Sequence, residues 1–206
     1  MAAEEILGRV PVGVSGRHVH VSREALEILF GPGYELTKVR DLSQPGQFAA
    51  AETVTIVGPK RALENVRILG PARSLTQVEI SRTDGFTLGV HPPVRLSGDI
   101  EGTPGITIVG PRGELHINEG LIVAARHIHM TPDDAARFGV VDGELVAVRA
   151  DTARPVVFRD VVVRVRNDFA LDFHIDTDEA NAAFLTTGDV ATVLRQTPWK
   201  GKEAGR

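Results

Sequence analysis

Apolar residues along this 206-residue chain gather in short runs rich in β-branched side chains. Thr53–Val57, Gly105–Val109, Leu121–Ala124, Leu145–Val148 and Val161–Val165 are the clearest. Turn dipeptides separate them: Gly58-Pro59, Gly70-Pro71, Gly110-Pro111 and Asp142-Gly143. That alternation predicts many short strands, as in sandwiches and barrels. Helical periodicity is confined to about 23–30, 132–138 and 177–184. The expected fold class is therefore mainly β, with short α-helices as caps.

Two weak internal repeats overlie this pattern. Thr55-Ile-Val-Gly-Pro-Lys60 resembles Thr107-Ile-Val-Gly-Pro-Arg112, and an arginine follows each about 13 residues on (Arg73, Arg126). The second repeat joins histidines to helix starts. His20-Val-Ser-Arg-Glu-Ala, His129-Met-Thr-Pro-Asp-Asp-Ala and His174-Ile-Asp-Thr-Asp-Glu-Ala follow one plan. A strand ends in His, a Ser, Thr or Asp caps the helix, and acids fill its first turn. Pro132 suits the first helical position. Such a corner brings a side-chain ligand close to unpaired backbone N–H groups and the positive end of a helix dipole. Plain helix capping explains any one copy as well; three copies in register favour a site.

Two of these corners carry a pair of histidines. Arg17-His-Val-His-Val-Ser22 and Arg126-His-Ile-His-Met-Thr131 share one frame. Residues i and i+2 of a strand point to the same face, so each pair aims two imidazoles one way. Imidazole is the commonest protein metal ligand. The pairs His18/His20 and His127/His129 together suggest a metal centre of one or two ions, with His174 as a fifth ligand. Glu79, at an alternating position in Leu75–Ile80, is the best placed carboxylate to neutralise it, although the same pattern fits a solvated strand residue. His91 and His116 fall outside the plan and read as surface or structural residues.

Composition narrows the chemistry. The chain has no cysteine, so thiolate ligands, disulfides and a cysteine nucleophile are excluded. Nitrogen and oxygen ligands suit zinc, manganese, iron or cobalt, with zinc the first expectation. The formal net charge of −4 argues against nucleic acid or an anionic membrane as the main partner. No apolar run is long enough to span a bilayer, and no secretory signal is visible at the N-terminus; a cytoplasmic protein is expected. Arg17, Arg73 and Arg126 lie beside or ahead of the ligand strands. Arginine forks pair with phosphate or carboxylate, and ordinary surface charge also fits each one singly.

Several of these segments together resemble the PduL-type phosphate acyltransferases. They are Ser15-Gly-Arg-His-Val-His-Val-Ser, Leu69-Gly-Pro-Ala-Arg, Gln77-Val-Glu-Ile-Ser-Arg, Pro93-Val-Arg-Leu-Ser-Gly-Asp and Ala125-Arg-His-Ile-His-Met. The match runs from about Val10 to Leu194, with the segments in the family's order. The resemblance implies two small β-barrels capped by short helices, with a dinuclear metal site between them. One barrel would comprise 1–16 plus 125–195 and the other 17–124, leaving 196–206 as a C-terminal tail. It implies two zinc ions per chain, held by His18, His20, Glu79, His127, His129 and His174. It also implies a phosphate-contacting Arg73, and coenzyme A contacts at Ser15, Arg40, Arg67, Leu69 and Asn181. At Arg40 the family also uses lysine.

The reaction so implied exchanges phosphate and coenzyme A on a propanoyl or acetyl group, by direct attack of phosphate on the thioester. Its partners are acyl-CoA and inorganic phosphate, with no nucleic acid and no membrane; a homodimer is the default assembly. Some relatives enter bacterial microcompartments through an N-terminal extension. The first segment here begins at Ser15, which favours a free cytoplasmic enzyme. Two rivals stay open at this point. A dinuclear metallohydrolase acting on a phosphoester or thioester would use the histidines equally well. A non-catalytic, metal-stabilised β module is the other.

Overall fold

A computed structural model describes residues 5–196. The chain opens with β1 (Ile6–Ser15), β2 (His18–His20), helix α1 (Arg23–Phe30), β3 (Lys38–Asp41), β4 (Phe48–Val57) and β5 (Ala62–Gly70). It continues through β6 (Gln77–Glu79), α2 (Arg82–Leu88), β7 (Val94–Arg95), β8 (Ile106–Val109), β9 (Glu114–Ile117) and β10 (Leu121–Ala124). Last come β11 (His127–Met130), α3 (Pro132–Phe138), β12 (Leu145–Ala150), β13 (Val156–Val165), β14 (Asp172–Asp176), α4 (Thr177–Ala183) and β15 (Val190–Leu194). The fold is mainly β with short helices, as the alternation of apolar runs and turns predicts. The expected tail lies, apart from Gln196, outside the described residues.

The strands form two groups. β1, β14, β11, β13, β12 and β15 close into a barrel in that order. The other nine make one sheet, β7-β10-β6-β2-β5-β4-β8-β9 with β3 against β4, which curls as a half-barrel. Each group has its own apolar core. Ile128, Phe173, Val161 and Val193 lie at the heart of the closed barrel, and Val19, Ile56, Ile68 and Leu121 at that of the half-barrel. Strand β1 reaches the closed barrel from the other end of the sequence, pairing parallel with β14 and antiparallel with β15.

The internal repeats are spatial repeats. Thr55-Ile-Val and Thr107-Ile-Val pair antiparallel with each other, Ile56 facing Ile108. The glycine after each run lies against a helix end. A Cβ on Gly58 would meet the Leu88 carbonyl at 2.4 Å, and one on Gly110 the Leu29 carbonyl at 2.5 Å. Only glycine permits that approach. The arginines after the two runs are not equivalent, however. Arg73 donates its backbone N–H to Val21, whereas Arg126 precedes β11 as Arg17 precedes β2.

Among the described residues there are four strand-to-helix corners rather than three. The extra one is Gln77-Val-Glu-Ile-Ser81 leading into α2, where Ser81 and Asp84 form a reciprocal capping box. Its helix reads Arg-Thr-Asp-Gly-Phe-Thr-Leu, poor in helix formers and interrupted by glycine, so periodicity does not reveal it. Gly85 is there because a Cβ would meet the Val90 carbonyl at 2.8 Å. Capping boxes also start α3 (Thr131, Asp134) and α4 (Asp176, Glu179). Each cap contributes about 1 kcal/mol, a useful share for helices of 7 residues that could not persist alone.

Candidate metal centre

The corners meet in two matched pairs. β2 and β6 run antiparallel with His18 opposite Glu79 and His20 opposite Gln77. β11 and β14 run antiparallel with His127 opposite His174 and His129 opposite Asp172. The intervening residues Val19, Val78, Ile128 and Phe173 are fully buried in the two cores. Strand alternation then turns His18, His20 and Glu79 to one side of the half-barrel, and His127, His129 and His174 to one side of the closed barrel. Both trios line a single cavity of about 1000 Å³.

Within the first trio, His18 Nε2 lies 3.2 Å from His20 Nε2 and 3.5 Å from Glu79 Oε2. Two ligands bound at zinc distances on a tetrahedral ion stand about 3.3 Å apart, so the spacing suits a shared ion. In the second trio, His127 Nε2 and His129 Nε2 are 2.7 Å apart, and the His174 ring lies edge-on to His127 with centroids 5.2 Å apart. In each trio the candidate ligand atoms lie within 4.8 Å of one another. His18, His20, Glu79, His127 and His129 are all buried; His174 is partly open.

Hydrogen bonding selects the tautomers. His18 Nδ1 contacts the Gly16 carbonyl at 2.9 Å, and His127 Nδ1 contacts that of Ala125 at 2.8 Å. A carbonyl only accepts, so each Nδ1 carries the proton and, in the neutral ring, Nε2 keeps its lone pair for a cation. Leu69 does the same for His20 Nδ1 at 3.4 Å. His129 Nδ1 is buried with no hydrogen-bond partner among the described residues, a costly arrangement for a site without function.

The electrostatics suit ligation too. Burial, helped by the charges of His18 and Arg73, pushes His20 down to about 3. Burial and His174 push His127 down to about 4. Burial, then His127 and His174, holds His129 well below the usual imidazole range. These three rings are neutral donors at pH 7. At His18 burial pulls down as well, but the Glu79 carboxylate outweighs it and the value ends above ordinary. Burial likewise opposes the charge on Glu79, yet His18 and His20 hold its carboxyl below the usual range. The acid is therefore an anion facing the imidazoles, and the donor set fits a divalent cation in each trio.

Arg73 reaches the same cavity from the half-barrel. Its guanidinium donates to Gln47 Oε1 at 3.1 Å and to Ser97 Oγ at 3.5 Å. Burial lowers its pKa, opposed by the Glu79 charge. The other two arginines flagged by sequence do something else. Arg17 forks onto the capping acid Asp84, at 3.0 Å from Nε and 2.7 Å from Nη2. Arg126 holds the capping acid Glu179 at 2.7 Å and the Arg159 carbonyl at 2.8 Å. Both fasten a ligand strand to the helix of its partner corner.

The remaining positions are dispersed. Ser15 Oγ lies 3.4 Å from His18 Nδ1. Arg40 and Leu69 line the cavity. Arg67 lines it as well, but its Nη1 is engaged by the Ala50 and Ala51 carbonyls at 2.9 and 2.8 Å. Asn181 is exposed on α4 and lies outside the cavity lining. His91 is exposed against Phe86, and exposed His116 pairs with Thr107 at 3.0 Å, both away from the trios.

Sequence reasoning missed one crossing loop. Leu42–Gln47 leaves the half-barrel and docks on the closed barrel, where Gln44 exchanges two hydrogen bonds with Ala170, at 3.0 and 3.1 Å. Ser43 Oγ comes within 3.4 Å of His174 Nε2, and Gln47 holds Arg73. Its residues carry no metal-binding signature; Pro45-Gly46 marks only a turn. Gln77 and Asp172 were also missed. Gln77 Nε2 donates to Glu79 Oε1 at 2.7 Å, and Asp172 Oδ2 lies 3.0 Å from His174 Nε2. The shared frame X-φ-X-φ-cap, with φ apolar, would have found both.

Residues 11–186 match the family model for phosphate propanoyltransferase. A phosphate propanoyltransferase of Thermotoga maritima is 65% identical over 184 residues, 89% of this chain and 88% of the relative. Enzymes of that name from Priestia megaterium and Lachnoclostridium phytofermentans are 59% identical (87% of this chain, 83% of the relative) and 57% identical (90% and 87%).

Proposed function

The chain belongs to the phosphate propanoyltransferase family, and on that premise we propose that it exchanges phosphate and coenzyme A on a short acyl group, propanoyl or acetyl, at a di-zinc site. The observation that carries the reading is the pair of buried three-donor trios opening, with Arg73, on one cavity. His18, His20 and Glu79 would hold one ion and His127, His129 and His174 the other. Bound there, the ions would supply positive charge to gather phosphate and to stabilise the oxyanion that develops on the thioester carbonyl.

The chain's own residues do the rest. Arg73 binds the phosphate and aims one oxygen at the carbonyl. Gln47 and Ser97 keep its fork in place. The new C–O bond forms as the C–S bond breaks, giving acyl phosphate; the proton of phosphate passes to the leaving thiolate. With no cysteine in the chain, direct transfer within a ternary complex is the route. Ser15, Arg40, Arg67, Leu69 and Asn181 are assigned to coenzyme A. We treat 1–16 plus 125–195 and 17–124 as the two domains that close on the substrates.

The test is release of thiol from propanoyl-CoA and acetyl-CoA, with and without phosphate or arsenate. Release that requires the anion supports the proposal; anion-independent hydrolysis would replace it with the metallohydrolase reading. Parallel double-reciprocal lines, or a trapped acyl-enzyme, would rule out direct transfer.

A further inference from the structure

The half-barrel contributes one arginine to the site, and the closed barrel offers another that the reaction as described leaves unused. Arg164 lies on β13, which runs parallel to β11 with Arg164 beside His129. Strand alternation puts the two side chains on the same face. The Arg164 guanidinium sits 5.8 Å from the centre of the Phe169 ring, and that ring in turn packs on His129 at 4.2 Å. Arg164 thus lines, from the closed barrel, the same cavity that Arg73 lines from the half-barrel.

Its neighbours are paired and it is not. Arg166 is matched to Asp168 by two bonds of 2.9 and 2.8 Å, and Arg17 and Arg126 are locked to capping acids. Arg164 has neither a hydrogen bond nor an ion pair among the described residues, though it is half-buried. Desolvating a guanidinium without a hydrogen-bonded partner is unfavourable; burial and then Arg166 lower its pKa, against the more distant charges of Asp142 and Glu79. Arg164 and Arg73 also repel each other across the site. Two guanidinia lining one cavity, one from each barrel, suit a doubly charged anion, which offsets both charges and can accept from both forks.

We propose that Arg164 is a second phosphate-holding residue, gripping from the closed barrel the phosphoryl group that Arg73 grips from the half-barrel. The inference rests on the acyl-transfer reading for the identity of the anion. It adds that phosphate is held by an arginine from each barrel.

The test uses the zinc-loaded full chain with Arg164→Met, which keeps the stem, and Arg164→Lys, which keeps the charge without the fork. Phosphate affinity is measured by calorimetry, alongside KM for phosphate, KM for propanoyl-CoA and metal content. Arg164→Met is expected to weaken phosphate binding and raise KM for phosphate by about 10–100-fold. KM for propanoyl-CoA and the metal content should stay near wild type, and Arg164→Lys should fall between. Unchanged phosphate affinity in both variants would overturn the proposal, as would a loss confined to KM for propanoyl-CoA, which would mark a coenzyme A contact. If wild type binds phosphate, and Arg164→Met weakens it, but thiol release never requires phosphate, the acyl-transfer reading falls and the Arg164 site stands. A wild-type protein that binds no phosphate would overturn both.

Discussion

The half-barrel's trio and the closed barrel's trio are built on the same antiparallel strand pair, yet one ends in a carboxylate and the other in an imidazole. At the register opposite the first histidine stand Glu79 and His174; opposite the second stand Gln77 and Asp172. Each half therefore keeps one carboxylate, at the opposite register. In the half-barrel the acid faces the imidazoles directly, and Gln77, fixed by Ser97 and Gly98, steadies it. In the closed barrel the acid bonds one of the three imidazoles. A common backbone thus gives two candidate cation sites of similar total charge and different donor chemistry, each oriented by its own neighbour.

The largest effect should separate holding metal from holding phosphate. His129→Ala is expected to lose metal and turnover together, with the half-barrel's ion retained. Arg73→Ala should reduce turnover by about 10²–10³-fold with metal content near normal. Metal analysis beside initial rates checks both; lost metal in Arg73→Ala would make that residue structural.

A smaller change probes the asymmetry itself. Asp172→Asn should weaken metal binding about 10–100-fold at one site and leave the other unchanged, read by chelator competition. Equal weakening of both sites would break the distinction between the halves.

Acid should act mainly through the buried imidazoles. His20 and His127 have native pKa values of about 3 and about 4, against an ordinary 6.5. Between those values the unfolded chain binds protons that the native protein does not, so stability falls as pH falls. His18 runs the other way: its raised value adds stability below 6.5 that is lost as pH rises through the native pKa. Chelator-treated protein should therefore lose net stability from pH 6.5 towards 4, by denaturant titration. Constant stability across that window would contradict the neutral-imidazole assignment.

The smallest effect is expected at the corner fasteners. Asp84→Ala removes the acidic half of the α2 capping box, leaving the Ser81 cap, and frees Arg17, costing about 1–2 kcal/mol. Thermal melting should report it, with metal content unchanged.

Much of the candidate site was legible because strand spacing decides which side chains share a face. His18/His20 and His127/His129 announce themselves at i and i+2, and His174 shares their helix-start plan. Glu79 was reachable through strand alternation. The roles of the arginines were not. Arg17, Arg126, Arg73 and Arg164 look alike in sequence, and only the placement of Asp84, Glu179, Gln47 and Phe169 around them separates the arginines tied to helix caps from those left to the cavity. The crossing loop Leu42–Gln47 was hidden for the same reason, since its contacts to Ala170 and His174 span more than 120 positions. For the fold, turn dipeptides and β-branched runs foretold the strands. Closure of one sheet and not the other depends on β1 completing the barrel from the far end of the chain, a pairing that no local pattern records.

The central claim, two cations serving one transfer, meets its most direct test in a zinc titration of the chelated protein during phosphate-dependent thiol release from propanoyl-CoA. Activity should climb to a plateau at two zinc ions per chain, with little at one. Full activity at one equivalent, or thiol release that needs no phosphate, would contradict the account.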